Sequence, residues 1–491
     1  SVFEEGARIA YEGDYSRIDE LPHKIIPGEV AHYRDSVFRE RAIVSERLRL
    51  ACGLALRDVS EYGPPSLGMK EANISEKYYE PPLVNVIPFA CNACPTKEMR
   101  VSSNCQGCLS HPCQSVCPKH AIHTDAHGHS VIDNEQCIKC GRCVDQCPYD
   151  AISKIERPCA KACGMDAIGS DELGRAKIDY DKCVSCGMCL VNCPFGAIAD
   201  KSQIFQLIRA IKAGEKVIAI VAPAYVGQFK NATPAKLRKA MRILGFADTV
   251  EVAIGADLCT IEEAEDFLEK VPAQQPFMGT SCCPAWSVMA KKTFPDLAPY
   301  ISMALTPMVL TARLVKKDNP DAKIVFVGPC AAKKLEASRR SVRSDVDFVV
   351  TFEELNGMFL AKDIDFATLE PDECDRDFDV GTGAGRGFAV VGGVAAAVKD
   401  HIAHIAPERE VPTEYGDGLR ECRKMLLMAR KGQRNGYLLE GMACPGGCVA
   451  GAGTITPVLQ STRNIEKYKA AAEKKSSMES SYAQRLKEAE E

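Results

Sequence analysis

The chain has 491 residues, a formal net charge of −5 and 25 cysteines. That length allows two to four domains with substantial cores, and its interspersed charges argue against a nucleic-acid partner. There is no apolar run of about 18 residues, and the acidic first residues lack the basic start and apolar core of a secretory signal, so a cytoplasmic protein with no membrane association is expected.

In chain order, residues 1–88 contain one helical pattern, SVFRERAIVSERLRLACGLAL, and a turn-rich passage, YGPPSLG. They read as a helical N-terminal arm packed on the rest. Residues 89–200 are cysteine-dense and repeat the hexapeptide CPxxAI as CPKHAI, CPYDAI and CPFGAI, which indicates an array of small units. From 201 to 456, helical patterns (SQIFQLIRAIK, PAKLRKAMRILG) alternate with apolar strand-like runs (KVIAIVAPA, AKIVFVGP), which predicts an α/β domain. Residues 457–491 are polar and helix-prone and read as a solvated terminal helix.

Sixteen of the cysteines lie between Cys91 and Cys193. A reducing compartment disfavours structural disulfides, so such density points to metal or catalysis. Cys137, Cys140, Cys143 and Cys147 form Cys-x2-Cys-x2-Cys-x3-Cys-Pro, and Cys183, Cys186, Cys189 and Cys193 repeat it. This is the bacterial ferredoxin run, whose fourth thiolate reaches the neighbouring cluster. Cys105, Cys108, Cys113 and Cys117 form a third run with four residues in its second gap. The pairs Cys91/Cys94 and Cys159/Cys163 remain and together supply a split fourth run. Repetition with terminal proline weakens a zinc reading of the isolated pairs. The nearby His111, His120, His123, His127 and His129 read as exposed loop residues.

The third run resembles those of iron-sulfur subunits of larger redox enzymes, in which paired runs exchange their last cysteine. That resemblance implies four clusters: Cys105/Cys108/Cys113/Cys147, Cys137/Cys140/Cys143/Cys117, Cys91/Cys94/Cys159/Cys193 and Cys183/Cys186/Cys189/Cys163. A chain of clusters connects a buried reaction centre to an external carrier, so a terminal chemistry is expected.

Three segments in the α/β region are of another kind: FMGTSCCPAW (277–286), VFVGPCAAKKLE (325–336) and EGMACPGGCVAGAG (440–453). The first two follow strand-like runs and precede helical patterns, placing their cysteines at carboxyl ends of strands, where open α/β sheets bind ligands. Together these segments resemble the three signatures of the FeFe-hydrogenases, over residues 90 to 456. The resemblance implies an α/β hydrogenase catalytic domain with an N-terminal ferredoxin-like α+β iron-sulfur array and the helical N-terminal arm.

It also implies an H-cluster, a 4Fe-4S cubane joined to a di-iron unit bearing CO, CN and azadithiolate, which interconverts protons and electrons with H2. By motif, Cys283, Cys330, Cys444 and Cys448 hold the cubane, and Cys448 bridges to the di-iron unit. Cys282 relays protons to the bridge amine, and Lys333 binds a cyanide. Ala222 and Pro223 contact the other cyanide by their backbone, and Phe388 and Met442 line the pocket. Ser302 and the acids Glu262 and Glu265 complete the proton path by ungapped counting, chosen from the cluster Glu262, Glu263, Glu265 and Asp266. The implied partners are ferredoxin or a similar small electron carrier, and maturation proteins that insert the di-iron unit.

Gly328 stands where the common pattern has methionine and Met308 where many members carry glutamine, departures that suggest the divergent group B. Two other readings stand beside this one: a hydrogenase-like iron-sulfur protein acting as H2 sensor or cluster-assembly factor, and an electron-transfer subunit. Assembly proteins lack the full cysteine doublet and the Lys333 context. There is no well-formed nucleotide motif; VGTGAGRGFAVVGG misses the dinucleotide spacing and reads as a turn or close-packing site. Cys52, Cys259, Cys374 and Cys422 read as packing or surface thiols.

Overall fold

A computed structural model describes residues 1–60, 62–339, 344–371 and 380–490; Cys374 lies outside them. The run KVIAIVAPA becomes the strand Val217–Val221, buried at all five positions. Its unbroken apolarity suits a strand covered on both faces. It pairs in parallel with Asp248–Glu251 on one side and Lys323–Gly328 on the other, and the latter pairs with Phe348–Thr351. A second parallel sheet orders Met278–Gly279, Leu438–Met442 and Thr413–Asp417. All three signature segments therefore follow a strand, the third included, and the first two lead into the helices Pro284–Thr293 and Ala332–Glu336.

The cysteine-dense region consists of short antiparallel pairs. The region's closing strand, Ile198–Asp200, pairs with Val84–Val86, which lies before residue 89. Ile168–Ser170 pairs with Ala176–Ile178. Between Cys94 and Cys159 the chain makes an excursion, bounded by the pair Lys97–Val101 and Ile152–Glu156 and containing the hairpin Ile122–Thr124 with Ser130–Ile132. One cysteine-bearing unit is thus nested inside another.

The arm's first helix, Val2–Glu12, starts on a Ser1/Glu4 capping box and buries Ala7, Ile9 and Ala10. The one helix predicted here spans Val37–Ala51, shorter than its pattern, because Gly53 turns left-handed at φ 84° and closes it. The tail departs from the expected solvated helix. Val458–Ala471 buries Ser461, Ile465 and Tyr468, and the Tyr468 hydroxyl donates to Glu251 Oε1 at 3.0 Å. The Arg386 guanidinium lies 3.8 Å from the Tyr468 ring centroid while its Nε donates to Glu251 at 3.0 Å. The buried stripe at 461, 465 and 468 is narrow and includes a serine, and the polar composition around it hid the packing face. The glycine-rich segment forms the short helix Gly383–Gly387, capped by the Thr382 side chain, where a Cβ on Gly385 would sit 2.5 Å from Ala253 O. Among the described residues no helix is long and apolar enough to cross a membrane.

Candidate metal centres

The first Cys-x2-Cys turn of each set carries a left-handed residue before its second cysteine: Ala93, Gly107, Lys139 and Ser185. Each final cysteine is followed three residues later by another, at His120, Asp150, Asp166 and Gly196. That turn aims the next backbone N–H at sulfur. Ala121, Ala151, Ala167 and Ala197 donate to Cys117, Cys147, Cys163 and Cys193 at 3.3, 3.3, 3.4 and 3.3 Å. Such donors stabilise thiolate and cluster charge. CGMDAI at 163–168 is therefore a fourth copy of the hexapeptide, missed in the sequence because Gly164 replaces proline. A Cβ at 164 would lie 2.5 Å from Leu419 Cβ, so the glycine permits contact with the α/β domain.

Separate cavities are lined by Cys91, Cys94, Cys159 and Cys193, by Cys105, Cys108, Cys113 and Cys147, and by Cys117, Cys137, Cys140 and Cys143. Cys163 is an electrostatic neighbour of Cys183, Cys186 and Cys189. These are the four sets implied by the exchanged-cysteine pattern. Among the described residues no group of three or more His, Cys, Asp or Glu is placed to hold a single metal ion. Four sulfurs around a common space, with amide donors behind them, fit a cubane. Of the nearby histidines, His120, His123, His127 and His129 are exposed and His111 is half-buried.

The central site lies at the carboxyl ends of both parallel sheets, around a cavity of about 90 Å³. Cys282, Cys283, Cys330, Cys444 and Cys448 all line it, with Lys333, Ala222, Pro223, Phe388 and Met442. Cys186 lines it too, so the cavity and the innermost accessory set share a wall. Gly447, at φ 93°, lets the Cys444–Cys448 loop pass the backbone at Val391, where a Cβ would stand 2.6 Å from the amide nitrogen. Met308 lines the cavity beside Phe326, whose ring occupies the space a side chain at Gly328 would need.

Lys333 reaches the cavity from a buried position; its Nζ pairs with Glu336 Oε2 at 2.6 Å and donates to Cys282 O at 3.3 Å. Burial disfavours the ammonium, but Glu336 outweighs it and the pKa is held above its ordinary value. Burial pushes the Cys330 and Cys448 thiols up to about 11 and 12, so loading a metal group here must displace protons.

Ser302, Glu262 and Glu265 do not line this cavity. Ser302 is half-buried, and its Oγ accepts from Ala304 N at 3.1 Å. On the helix Ala253–Lys270, Glu265 faces solvent, Glu262 is half-buried and Glu263 is fully buried. Successive residues of a helix differ by about 100° in direction, so a one-residue error in counting from the cysteine pair changes which acid points inward. The carboxylate beside the pair is Glu263, which the count passed over. Its Oε1 accepts from Ser281 N at 2.6 Å, and burial lifts its pKa to about 8. Glu262 is lifted to about 7 by burial and by Glu490. Cys259, fully buried, places its Sγ 3.9 Å from Ser281 Oγ. Cys52 and Cys422 are also buried, as packing thiols.

Residues 215–452 match the family described as iron only hydrogenase large subunit, C-terminal domain. Residues 103–157 match an LdpA Fe-S cluster-binding domain and 175–198 a 4Fe-4S binding domain. The chain is 31% identical over 304 residues to iron hydrogenase 1 of Clostridium pasteurianum, covering 52% of this chain and 53% of that protein. It is 28% identical over 263 residues to a probable cytosolic Fe-S cluster assembly factor of Aedes aegypti, covering 44% and 55%. The chain spans about half the length of these curated relatives. A solved structure described as showing stepwise [FeFe]-hydrogenase H-cluster assembly is 26% identical, with a TM-score of 0.45 over 55% of this chain and 89% of that one. Residues 215–452 have the fold of the iron-only hydrogenase C-terminal domain, and 4Fe-4S binding domains precede it.

Proposed function

We propose that the protein is an FeFe-hydrogenase that interconverts H2 with two protons and two electrons. The observation that carries this reading is one apolar-lined cavity receiving five cysteines from three distant segments together with a buried lysine. When bound, the H-cluster would supply the metal-centred chemistry of H2. Cys283, Cys330, Cys444 and Cys448 would hold it. Cys282, left over from the four ligands, keeps a proton that it can pass, which a coordinated thiolate cannot. Lys333, fixed by Glu336, offers an ammonium to an anionic ligand, while Phe388, Met442 and Met308 exclude water. Protons would travel between Cys282 and solvent by way of Glu263 and Glu262. The four accessory sets, ending at Cys186 on the cavity wall, would conduct electrons from ferredoxin or a similar small carrier. In this reading residues 1–88 are an arm, 89–200 the cluster array, 201–456 the catalytic domain and 457–491 the tail.

The rival reading, an iron-sulfur assembly protein, draws support from the similarity to assembly factors. It leaves the Cys282 and Lys333 pair without a task. Infrared spectra of protein co-produced with maturation proteins separate the two: carbonyl and cyanide bands with H2 evolution from reduced dye are expected, and spectra without them would leave the assembly reading.

A further inference from the structure

The cavity between Cys91, Cys94, Cys159 and Cys193 is lined by a buried cation, Arg157, 2% exposed. Its Nε and Nη2 donate to Cys94 O at 3.0 and 2.7 Å, Nη1 to Gly169 O at 2.7 Å and Nη2 to Gly174 O at 2.6 Å. All these acceptors are neutral carbonyls, so the bonds fix the guanidinium without cancelling its charge.

The N-terminal arm adds more positive charge on the same loops. Arg47 donates to Gly196 O, and Arg34 donates to Phe195 O at 2.6 Å while lying 5.6 Å from the ring centroid of Phe195, a residue that lines the cavity. Arg39 donates to Phe89 O at 2.8 Å, two residues before Cys91. Gly196 is the left-handed position that carries a side chain in the other three repeats, and a Cβ there would collide with the Arg47 guanidinium. The carboxylate that acts most on Arg47 is Glu353. Of the other two enclosed accessory cavities, one has no cation in its wall and the other has Lys119 and Arg142, both exposed.

We propose that the cluster held by Cys91, Cys94, Cys159 and Cys193 is an electron well, with the highest midpoint potential of the accessory set, established by Arg157 and by the N-terminal arm through Arg47 and Arg34. A fixed positive charge in a poorly polarisable surrounding favours the form of the cluster that has gained one electron from the carrier. The arm then has a redox task beyond packing. This rests on the iron-sulfur part of the proposed function only, and needs no di-iron unit.

The test is a potentiometric titration, followed by electron paramagnetic resonance, of the full chain reconstituted with iron and sulfide, with iron counted in each sample. One cubane of the unsubstituted protein is expected to reduce before the rest. Arg34→Gln with Arg47→Gln should lower that midpoint alone, changing its reduced-to-oxidised ratio at fixed potential about tenfold, or about 59 mV for one electron. Arg157→Lys should shift it less than Arg157→Gln. If Arg157→Gln loses iron, the arm variants decide. Full iron content with every midpoint unmoved overturns the proposal, whereas an unsubstituted protein without cubane signals overturns the iron-sulfur reading itself.

Discussion

The backbone N–H of Ser281 donates to Glu263 Oε1 at 2.6 Å, tying a fully buried carboxylate to the residue before Cys282. The other oxygen of Glu263 has no hydrogen-bond partner among the described residues. Glu263→Gln keeps an acceptor for Ser281 and removes the exchangeable proton. H2 evolution should fall by about a hundredfold or more with iron content unchanged, while Glu265→Gln on the exposed face should stay close to the unsubstituted rate.

The same acid predicts a pH dependence of stability. Burial raises its pKa from 4.5 to about 8, so the fold favours the protonated form. That contribution is complete below the unfolded pKa and is lost as pH rises through the folded one. Thermal unfolding between pH 5 and 8 should show the unsubstituted protein losing stability on the alkaline side, and Glu263→Gln losing less.

Cys282→Ala should leave the iron count and the infrared bands of matured protein in place while removing nearly all turnover, because its thiol is the proton-bearing group left at the cavity wall. A variant with full activity would sink the relay role.

Lys334 is fully buried, its Nζ 2.8 Å from Asp200 Oδ2 and 2.7 Å from Glu354 Oε1. It fastens the closing strand of the cluster array to the helix Phe352–Ala361. Burial acts against its charge, but the two carboxylates outweigh burial and raise its pKa. Lys334→Met strands the buried Glu354 and the half-buried Asp200, and denaturant unfolding should report a loss of about 3–5 kcal/mol.

The excursion at 97–156 has a small core of Met99, Cys113, Ile122, Cys143 and Ile152, two of them proposed ligands. So few apolar residues cannot hold sixty residues folded without metal. Chelation should abolish hydrogen-exchange protection there first, while the strand Val217–Val221 stays protected.

Much of this was legible because cysteine spacing is itself a geometric instruction. The cysteine runs and the strand before Cys330 follow from local pattern, whereas the four cluster sets and the gathering of Cys283, Cys330, Cys444 and Cys448 are implied by the resemblance to iron-sulfur subunits and FeFe-hydrogenases. What stayed hidden depends on direction. Glu263 and Glu265 are two residues apart on one helix, and only the packed fold says which faces the cysteine pair. Tyr468 sits among lysines, and its burial depends on Glu251 from a distant strand and Arg386 from the short helix Gly383–Gly387. Arg157 looks like any exposed cation until three carbonyls surround it. Gly164 breaks the hexapeptide because of Leu419, more than 250 residues away.

The register pairs Lys97 with Glu156 and Val101 with Ile152, so the chain leaves and rejoins the inner cluster unit at adjacent points. The proposed outer two clusters would therefore form a cassette joined to the rest of the array at this strand pair. Lineages could lengthen or shorten the proposed electron wire there without disturbing the residues around the candidate reaction centre.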